Sequence, residues 1–364
     1  MTKRVIRKNK NLESTLPLTI SAQEGLIDQN EFFNKTIASR DVSGYYLIKN
    51  GEFAYNKSYS NGYPWGAVKR LNRYNMGVLS TLYIVFKPTN IDSDFLEKYY
   101  DTTYWHKEIS KHAAEGARNH GLLNIAATDF FKTELVISKS LEEQQKIGAF
   151  FKQLDDTITL HQRKLDKLKR LKQGYLQQLF PKNDEKVPRV RFANFENKWE
   201  QRKLGEISRM YQPLTITGND LLPDGVPVFG ANGFIGFFSE ANHIDDQVTI
   251  SARGEGTGTP SYVHGPVWVT GNSMVVNVGD FDIDKYFLFA NLTANSLKKY
   301  VTGGAQPQLT RDVLVKVPIT LPNTDEQEKI GSFFKQLDET ITLHHSKLDK
   351  LNILKQALLQ KMFI

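Results

Sequence analysis

The sequence predicts an α+β fold, with two related α/β modules that are separated and braced by two long helices packed as an antiparallel coiled coil. The first observation behind this prediction is a long helical segment that occurs twice in the chain. The second is that the segments outside these helices are similar in length and mix short strands with turns rich in Gly, Asn, Asp and Pro. The predicted modules are residues 1–140 and 183–324, and the predicted helices are residues 141–182 and 325–364.

Composition limits the class of protein. The chain has 364 residues, a length typical of two domains, and it contains no cysteine. Disulfides, zinc sites built from cysteine and cysteine nucleophiles are therefore excluded, which agrees with a cytoplasmic protein. The sequence has no apolar run of roughly 18 residues and no apolar stretch after its basic N-terminus, so we expect neither a membrane span nor a secretory signal.

The chain is basic, with a net charge of +7 and a pI of about 9.2. Such an excess favours a polyanionic partner, because neutralising phosphates releases condensed counterions. A charge that serves only solubility remains an equally open alternative on this observation alone.

Several segments of the first module have counterparts, in the same order, in the second. A strand, turn and return at Thr19–Asp28 resembles Val228–Gly236, and an apolar strand at Leu79–Phe86 resembles Asn272–Val278. An Asp-rich helix start, a glycine-rich turn and a β-rich stretch ("TELVIS" and "VKVPITLP") follow in both modules. The shared order predicts that the two modules have a common plan.

The first long helix and its copy share most of their residues. "KIGAFFKQLDDTITLHQRKLDKL" at 146–168 recurs as "KIGSFFKQLDETITLHHSKLDKL" at 329–351, and about 26 of 37 residues are identical between 144–180 and 327–363. Apolar residues spaced alternately by four and three positions form a heptad seam on one side of the helix. Such a seam predicts a partner helix that packs against it. The seam residues are Ile147, Phe151, Leu154, Ile158, Leu165 and Leu168 in the first copy, and Ile330, Phe334, Leu337, Ile341, Leu348 and Leu351 in the second.

Identical seams favour pairing of the two helices with each other over separate dimerisation coils. His161 and His344 also occupy seam positions, where we expect packed residues and not metal ligands. Lys172 and Lys355 stand where the seam requires an apolar residue, while Leu171 and Leu354 lie one position earlier, which predicts a stutter or the end of the regular coil.

The second module opens with an amphipathic segment around Trp199, at Phe195–Ile207. By the correspondence of Ala22 with Ala231, the equivalent of Trp199 in the first module would precede Met1. The first module is therefore expected to be shortened at its N-terminus.

No motif for catalysis is present. The glycine-dense "ARGEGTGTP" at 252–260 lacks the Lys-Ser/Thr of a phosphate-binding loop and the full GxGxxG of a dinucleotide turn. The eight histidines form no HExxH, and an Asn/Asp-Pro-Pro-Tyr/Phe motif is also missing. We therefore expect a non-catalytic chain with no cofactor and no metal site of its own.

Basic, aromatic and amide residues in turn-rich segments are the candidate DNA contacts. Lys and Arg can reach phosphates or guanine, Gln can read adenine, and Tyr can donate to phosphate. The candidates are Lys57, Tyr59, Tyr63, Lys69, Arg70, Arg118, Arg253, Gln306, Gln308 and Arg311. Solvated turns with ordinary surface aromatics remain the alternative interpretation.

Four motifs together resemble a known family. The sequences "EQxKI", "FFKQLDxTI", "KLDKLxxLKQ" and "WEQRKLGEI" are similar to those of the specificity subunit of Type I restriction-modification systems, over essentially the whole chain. The resemblance implies two target-recognition domains that read a bipartite, asymmetric target in double-stranded DNA. It also implies two methyltransferase subunits as partners and, in the full complex, two restriction subunits. S-adenosylmethionine, ATP and Mg would then belong to those partners.

A different class of function remains open at this point. The chain could be a non-catalytic coiled-coil scaffold whose two modules bind protein or carbohydrate. Salt-dependent and sequence-selective binding to duplex DNA would separate the two hypotheses.

Overall fold

The computed structural model describes residues 1–21, 23–58, 62–113, 123, 125–182 and 185–363. The chain divides into two compact units: unit 1 is Met1–His161 with Lys347–Ile364, and unit 2 is Gln162–Ser346. The predicted α+β class with two long helices is confirmed. None of the described helices is both long enough and apolar enough to cross a membrane.

Unit 1 combines short antiparallel strands with short helices. Its elements are β1 (Thr2–Arg4), β2 (Leu18–Ser21), β3 (Gly25–Asp28), α1 (Gln29–Phe33), β4 (Tyr46–Lys49), β5 (Phe53–Asn56), β6 (Ala67–Arg70), β7 (Met76–Leu79), β8 (Ile84–Pro88), α2 (Ser93–Tyr100), α3 (Tyr104–His112), α4 (Ala127–Phe130) and the first part of α5 (Leu141–Gln178). The main sheet has the order β1-β8-β5-β6, and β2-β3 and β4-β7 form separate pairs. Its core is aromatic, with the rings of Phe53 and Phe86 stacked at 5.4 Å on neighbouring strands.

Unit 2 has more described strands than unit 1. Its elements are β9 (Glu200–Lys203), β10 (Arg209–Tyr211), β11 (Val226–Gly230), β12 (Gly233–Phe238), β13 (Gln247–Ser251), β14 (Pro260–Val263), β15 (Trp268–Val269), β16 (Ser273–Asn277), α6 (Lys285–Ala294), α7 (Arg311–Leu314), β17 (Pro318–Leu321) and the first part of α8 (Thr324–Met362), with short 3-10 helices at Leu204–Glu206, Gly218–Asp220 and Leu297–Tyr300. The sheets have the orders β10-β16-β13-β14, β12-β11-β15 and β17-β9. Trp199 is almost fully buried in the core of this unit, where its ring packs against Phe287 at 5.8 Å.

The two units share a plan, as the matching segments predicted. In each, an edge strand (β1 or β10) pairs with the strand that precedes an Asp-capped helix (α2 or α6). A backbone hydrogen bond of 2.9 Å also recurs, from the N–H of Leu123 to the carbonyl of Lys57 and from the N–H of Leu309 to the carbonyl of Ala252. The carbonyl that accepts this bond follows directly after β5 in unit 1 and after β13 in unit 2, so these two strands occupy equivalent places in the chain order of their units.

One predicted similarity is wrong. Residues 133–138 were expected to be β-rich like β17, yet they form no strand. In unit 2, β17 pairs with β9, which comes before β10 in the chain. In unit 1, β1 takes the place of β10, and none of the described strands pairs with residues 133–138.

The long helices α5 and α8 begin at or within one residue of their predicted starts. The helix α5 ends at Gln178, before the predicted residue 182, because Pro181 cannot supply the N–H that another turn requires. All the predicted seam residues are buried or half-buried, while most other positions of both helices are exposed. The seam therefore faces protein along its length.

The segments of the two helices run antiparallel within each unit. In unit 1, Phe151 packs on Phe363 with ring centroids 5.8 Å apart, and Asp155 contacts Lys355 at 2.6 Å. Residue numbers thus rise along α5 as they fall along α8, which is the antiparallel arrangement.

Unit 2 contains the same contacts with the helices exchanged. Phe334 packs on Phe180 at 5.8 Å, and Asp338 contacts Lys172 at 2.6 Å. Lys172 is the repeat counterpart of Lys355, and Asp338 that of Asp155. Of the two alternatives at these lysines, the end of the coil is wrong, because each lysine is the cationic partner of an aspartate on the other helix. The stutter stays a prediction.

A glutamine near the start of each long helix attaches that helix to its module. The Oε1 of Gln144 accepts a hydrogen bond from the N–H of Asp92 at 3.0 Å, and its Nε2 donates to the carbonyl of Ser138 at 2.7 Å. Gln327 makes the equivalent bonds, with the N–H of Asp284 at 3.2 Å and the carbonyl of Pro322 at 3.0 Å. The capping aspartates of α2 and α6 are in this way held against α5 and α8.

A glycine one turn further on makes this close approach possible. A Cβ at Gly148 would lie 2.7 Å from both the Oδ1 of Asp92 and the N–H nitrogen of Phe95. At Gly331 it would lie 2.0 Å from the Oδ1 of Asp284, whose pKa is raised by burial. Both distances are too short for any side chain, so the module helix can sit on the long helix only where glycine is present.

We therefore expect Gly148→Ala to lower the free energy of unfolding by about 1–3 kcal/mol, because the methyl group forces the cap of α2 away from α5. Gly174→Ala, in the same helix, is the matched control. Nothing lies within 4 Å of a Cβ at this position, and the repeat counterpart is already Ala357. The control should stabilise the chain by about 0.4–1 kcal/mol through helix propensity. Denaturant unfolding of both variants measures the difference, and equal effects would contradict it.

Candidate nucleic-acid interface

Three loops of unit 2 meet at one surface, which we call the three-loop surface. It consists of the turn between β11 and β12 (residues 231–233), the first part of the loop after β13 (residues 253–257) and the loop after the last 3-10 helix (residues 302–308). The loops are separated by roughly 20 and 50 positions in the sequence, and the fold brings them together.

Backbone contacts hold the second and third loops together. Arg253 and Gln308 form an antiparallel bridge, and the N–H of Gly254 donates to the carbonyl of Pro307 at 3.3 Å. The hydroxyl of Thr257 also donates to that carbonyl, at 3.1 Å. The positive φ of Gly254 (87°) lets the chain turn back at this point.

The first loop is attached to the second by side chains. The hydroxyl of Ser251 donates to the carbonyl of Ala231. The Oδ1 of Asn232 would be 3.3 Å from a Cβ at Gly256, so a larger residue at 256 would push against this side chain. Asn232 is therefore positioned by the backbone of the neighbouring loop.

Five polar side chains project from the three-loop surface into solvent. They are Asn232, Arg253, Glu255, Gln306 and Gln308. Within the described part of the chain, none of these five side chains makes a hydrogen bond or an ion pair. They are free to bind a partner, and their amide, guanidinium and carboxylate groups match the donors and acceptors on base edges.

The predicted contact Arg311 has a partner within unit 2. Its Nε donates to the carbonyl of Met210 at 2.9 Å, which ties the start of α7 to β10. The terminal nitrogens of the guanidinium stay available, and the residue is exposed. DNA binding by Arg311 stays a prediction.

Two of the predicted contacts in unit 1 are paired with carboxylates. Lys69 lies 2.8 Å from Asp101, and Arg70 lies 2.6 Å from Asp94 and 2.8 Å from Glu97. A cation that is already neutralised contributes less attraction to phosphate. The direct role of these pairs is to join β6 to α2.

These pairs line a polar cleft of about 780 Å³ in unit 1. Lys98 is buried there and contacts Asp101 at 3.2 Å and Asp155 at 2.6 Å. Burial lowers the pKa of Lys98, and the two carboxylates more than reverse this, so the pKa lies above its ordinary value. Because acidic and basic groups are nearly balanced, the cleft offers little attraction for a polyanion.

The remaining candidates of unit 1 differ in their surroundings. The ammonium of Lys57 donates to the carbonyl of Ile125 at 3.3 Å, and burial lowers its pKa. Tyr63 is half-buried and packs against the core of the unit. Tyr59 and Arg118 lie outside the described residues. DNA contact by these four residues stays a prediction.

Sequence reasoning missed Asn232 and Glu255. A signal for Asn232 was present, since it stands at the tip of a recognised hairpin, but nothing local shows that this tip lies against the Arg253 loop. The partners of Lys69 and Arg70 were also missed. They lie on α2 and just beyond it, between 24 and 32 positions further along the chain.

Metal binding has no support in the described part of the chain, where no group of three or more His, Asp or Glu residues could hold an ion. His161 and His344 are half-buried on the seam and both interact with neighbouring groups.

Comparison with protein families gives a match in both halves of the chain. The model of the Type I restriction modification DNA specificity domain matches residues 24–170 and 196–352. The specificity subunit of the Type I restriction enzyme EcoprrI from Escherichia coli is 27% identical over 153 residues, which cover 40% of this chain and 38% of that protein. A putative type I specificity subunit from Mycoplasma genitalium is 22% identical over 247 residues, 66% of this chain and 64% of that protein. The matched regions thus span less than two thirds of both relatives.

Solved structures show the same fold. The crystal structure of the specificity subunit of a Type I restriction-modification system from M. genitalium has a TM-score of 0.65 at 17% identity, and the match covers 100% of this chain and 93% of that one. A structure from a study of complex assembly and conformational transition in a type I system has a TM-score of 0.51 at 16% identity, covering 100% and 94%.

The pairing of Arg70 leads to a test of its role. Arg70→Ala removes the guanidinium from Glu97 and leaves Asp94 with only the more distant Lys152, at 4.0 Å, so we expect the free energy of unfolding to fall by about 1–3 kcal/mol. Arg253→Ala is the control, since it removes an exposed side chain and should change stability by less than about 0.5 kcal/mol. Denaturant unfolding and duplex binding are measured for both variants. Unchanged stability together with weaker DNA binding in Arg70→Ala would show that Arg70 is a DNA contact instead.

Proposed function

Because the chain belongs to the Type I restriction-modification DNA specificity family, we propose that it is the DNA-binding specificity subunit of a Type I restriction-modification complex. The observation that carries this proposal is the family match in both halves, each covering one module and most of its long helix. The three-loop surface of unit 2 supports it, since unpaired amide and guanidinium groups on a rigid backbone suit the reading of bases.

We propose further that the target is bipartite and asymmetric. Two modules of common plan can read two half-sites, as symmetric dimers do at about one helical turn. The loops of the two modules differ in sequence, with "SARGEGTG" in the second and no such glycine pattern at the corresponding place in the first. The two half-sites should therefore differ in sequence.

The duplicated helices suggest how partners are bound. Two helices that share most of their residues offer a similar surface twice, which fits two copies of one methyltransferase subunit. In the full complex two restriction subunits would join them. Catalysis belongs to those partners: S-adenosylmethionine to methylation, and ATP with Mg to restriction. A cytoplasmic location, with access to DNA and to these partners, completes the proposal.

A binding experiment tests the function directly. The full chain is expected to bind duplex DNA with a sequence preference, and with an affinity that falls steeply as salt rises, since each neutralised phosphate adds about 0.9 to the slope of log K against log salt. Titration of labelled duplexes at several salt concentrations measures both properties. Binding to protein or carbohydrate, without sequence-selective binding to DNA, would favour the scaffold alternative.

The spacing of the half-sites gives a second test, in which α5 and α8 are lengthened together. Four residues are inserted after His161 and four after Ser346, where the chain passes from one unit to the other. Each insertion adds about 6 Å and about 40° of rotation. One to two base pairs of B-DNA add a similar length along the duplex axis, and each base pair adds about 35° of rotation. The spacer between half-sites should therefore grow by one or two base pairs, while both half-site sequences persist.

Modified sites in DNA from cells that express the variant with its methyltransferase measure the spacer. An insertion in α5 alone is the control, because it mismatches the lengths of the paired helices and should lower activity. An unchanged spacer with full activity in the double insertion would mean that the length of the helices does not set the distance between the half-sites.

A further inference from the structure

We propose that the three-loop surface determines one half-site, with Arg253 reading a guanine and Asn232 an adenine. This inference rests on the proposed function and makes it specific. It names the bases that one module selects and adds Asn232 and Glu255 to the residues that select them.

The charge of the surface is the first argument. Its five exposed polar side chains are one cation, one anion and three amides, so together they carry no net charge. A surface that only holds phosphates would be strongly positive, since Lys and Arg supply most of that attraction. Amides, one guanidinium and one carboxylate are the groups that pair with base edges: Arg with guanine, Asn or Gln with adenine, and Glu with the amino group of cytosine.

The second argument is the fixed backbone beneath these side chains. Arg253 and Gln308 face each other across an antiparallel bridge, which places their Cα atoms about 5 Å apart. Base pairs follow one another at about 3.4 Å, so two such residues can reach adjacent steps. Glu255 lies two positions after Arg253 in the same loop and is a further side chain that can contact bases.

Gly256 provides the third argument, because Asn232 lies close to it. The Oδ1 of Asn232 would be 3.3 Å from a Cβ at this position, so a larger residue there would require the Asn232 side chain to shift by a few tenths of an ångström. The hydroxyl of Ser251 binds the carbonyl of Ala231 and fixes the preceding residue as well. An exposed amide whose backbone is held on both sides loses little freedom when it binds, which suits a residue that discriminates between bases.

Selection from a pool of randomised duplexes tests the proposal. The full-length parent, Asn232→Ala, Arg253→Ala and Gln201→Ala are each incubated with the pool, and the bound DNA is sequenced. Gln201 is an exposed amide on β9 of the same unit, and its substitution should leave the selected motif unchanged. Asn232→Ala should reduce the preference for adenine at one position by about 10- to 100-fold, and Arg253→Ala should do the same for guanine at another position of the same half-site. The other half-site should not change.

Arg253→Lys distinguishes base reading from contact with phosphate. Lysine keeps the charge but lacks the planar and rigid fork of the guanidinium, so it should restore affinity without restoring the full preference for guanine. A lysine variant identical to the parent would overturn the assignment of Arg253 to guanine.

Other outcomes overturn the proposal in distinguishable ways. If the parent selects no motif at all, the proposed function itself fails. If the parent selects a motif that Asn232→Ala and Arg253→Ala both retain, the function stands and the inference fails. A uniform loss of binding to all sequences would assign the surface to phosphates. Thermal unfolding within about 2 °C of the parent shows that each exposed-residue variant is folded.

Discussion

The pairing of an aspartate on one long helix with a lysine on the other is the interaction on which the arrangement of each unit depends. Asp155 with Lys355 and Asp338 with Lys172 are the same contact made twice, with the helices exchanged. Both pairs are partly buried, and each unit also packs a phenylalanine of one long helix on a phenylalanine that follows the end of the other. A shifted register would leave the charges without partners. Each pair thereby favours one alignment of two helices that a uniform apolar seam would allow to slide.

This reciprocity explains why the helices have kept so many residues in common. Within each unit, the aspartate of one helix copy contacts the lysine of the other copy. A change in one copy therefore disturbs the ion pair of one unit and leaves the equivalent pair of the other unit unaltered. Gln144 and Gln327, with Gly148 and Gly331, are held by the same requirement, because each bonds or adjoins the cap of a module helix. The loops at the three-loop surface carry no such requirement. They can change in sequence while the helices do not.

Periodic features could be read from the sequence, and contacts between distant residues could not. The seam, the α+β class and the shared order of the modules follow from apolar spacing and from internal repetition. Apolar spacing is visible within one segment, and internal repetition is visible when the chain is compared with itself. Lys172 was misread because its charge breaks the apolar pattern, and its partner stands 166 positions away. The pairing of Lys69 with Asp101 and the approach of Asn232 to Gly256 depend on how strands and loops pack. Turn composition alone gives no measure of that packing.

The neutral charge of the three-loop surface bears on how affinity and discrimination are divided in this chain. A surface without net charge cannot attract DNA from a distance, so the net charge of +7 must act from other parts of the chain. In unit 2 the helix α5 carries a run of exposed cations at Arg163, Lys164, Lys167, Lys169 and Arg170. Attraction to phosphates acts over about 8–10 Å at physiological salt and tolerates mobile side chains. Base reading, which we propose for the three-loop surface, instead requires hydrogen bonds of fixed length and direction. Separating the two tasks lets loop residues change the preferred sequence without weakening the general attraction to DNA.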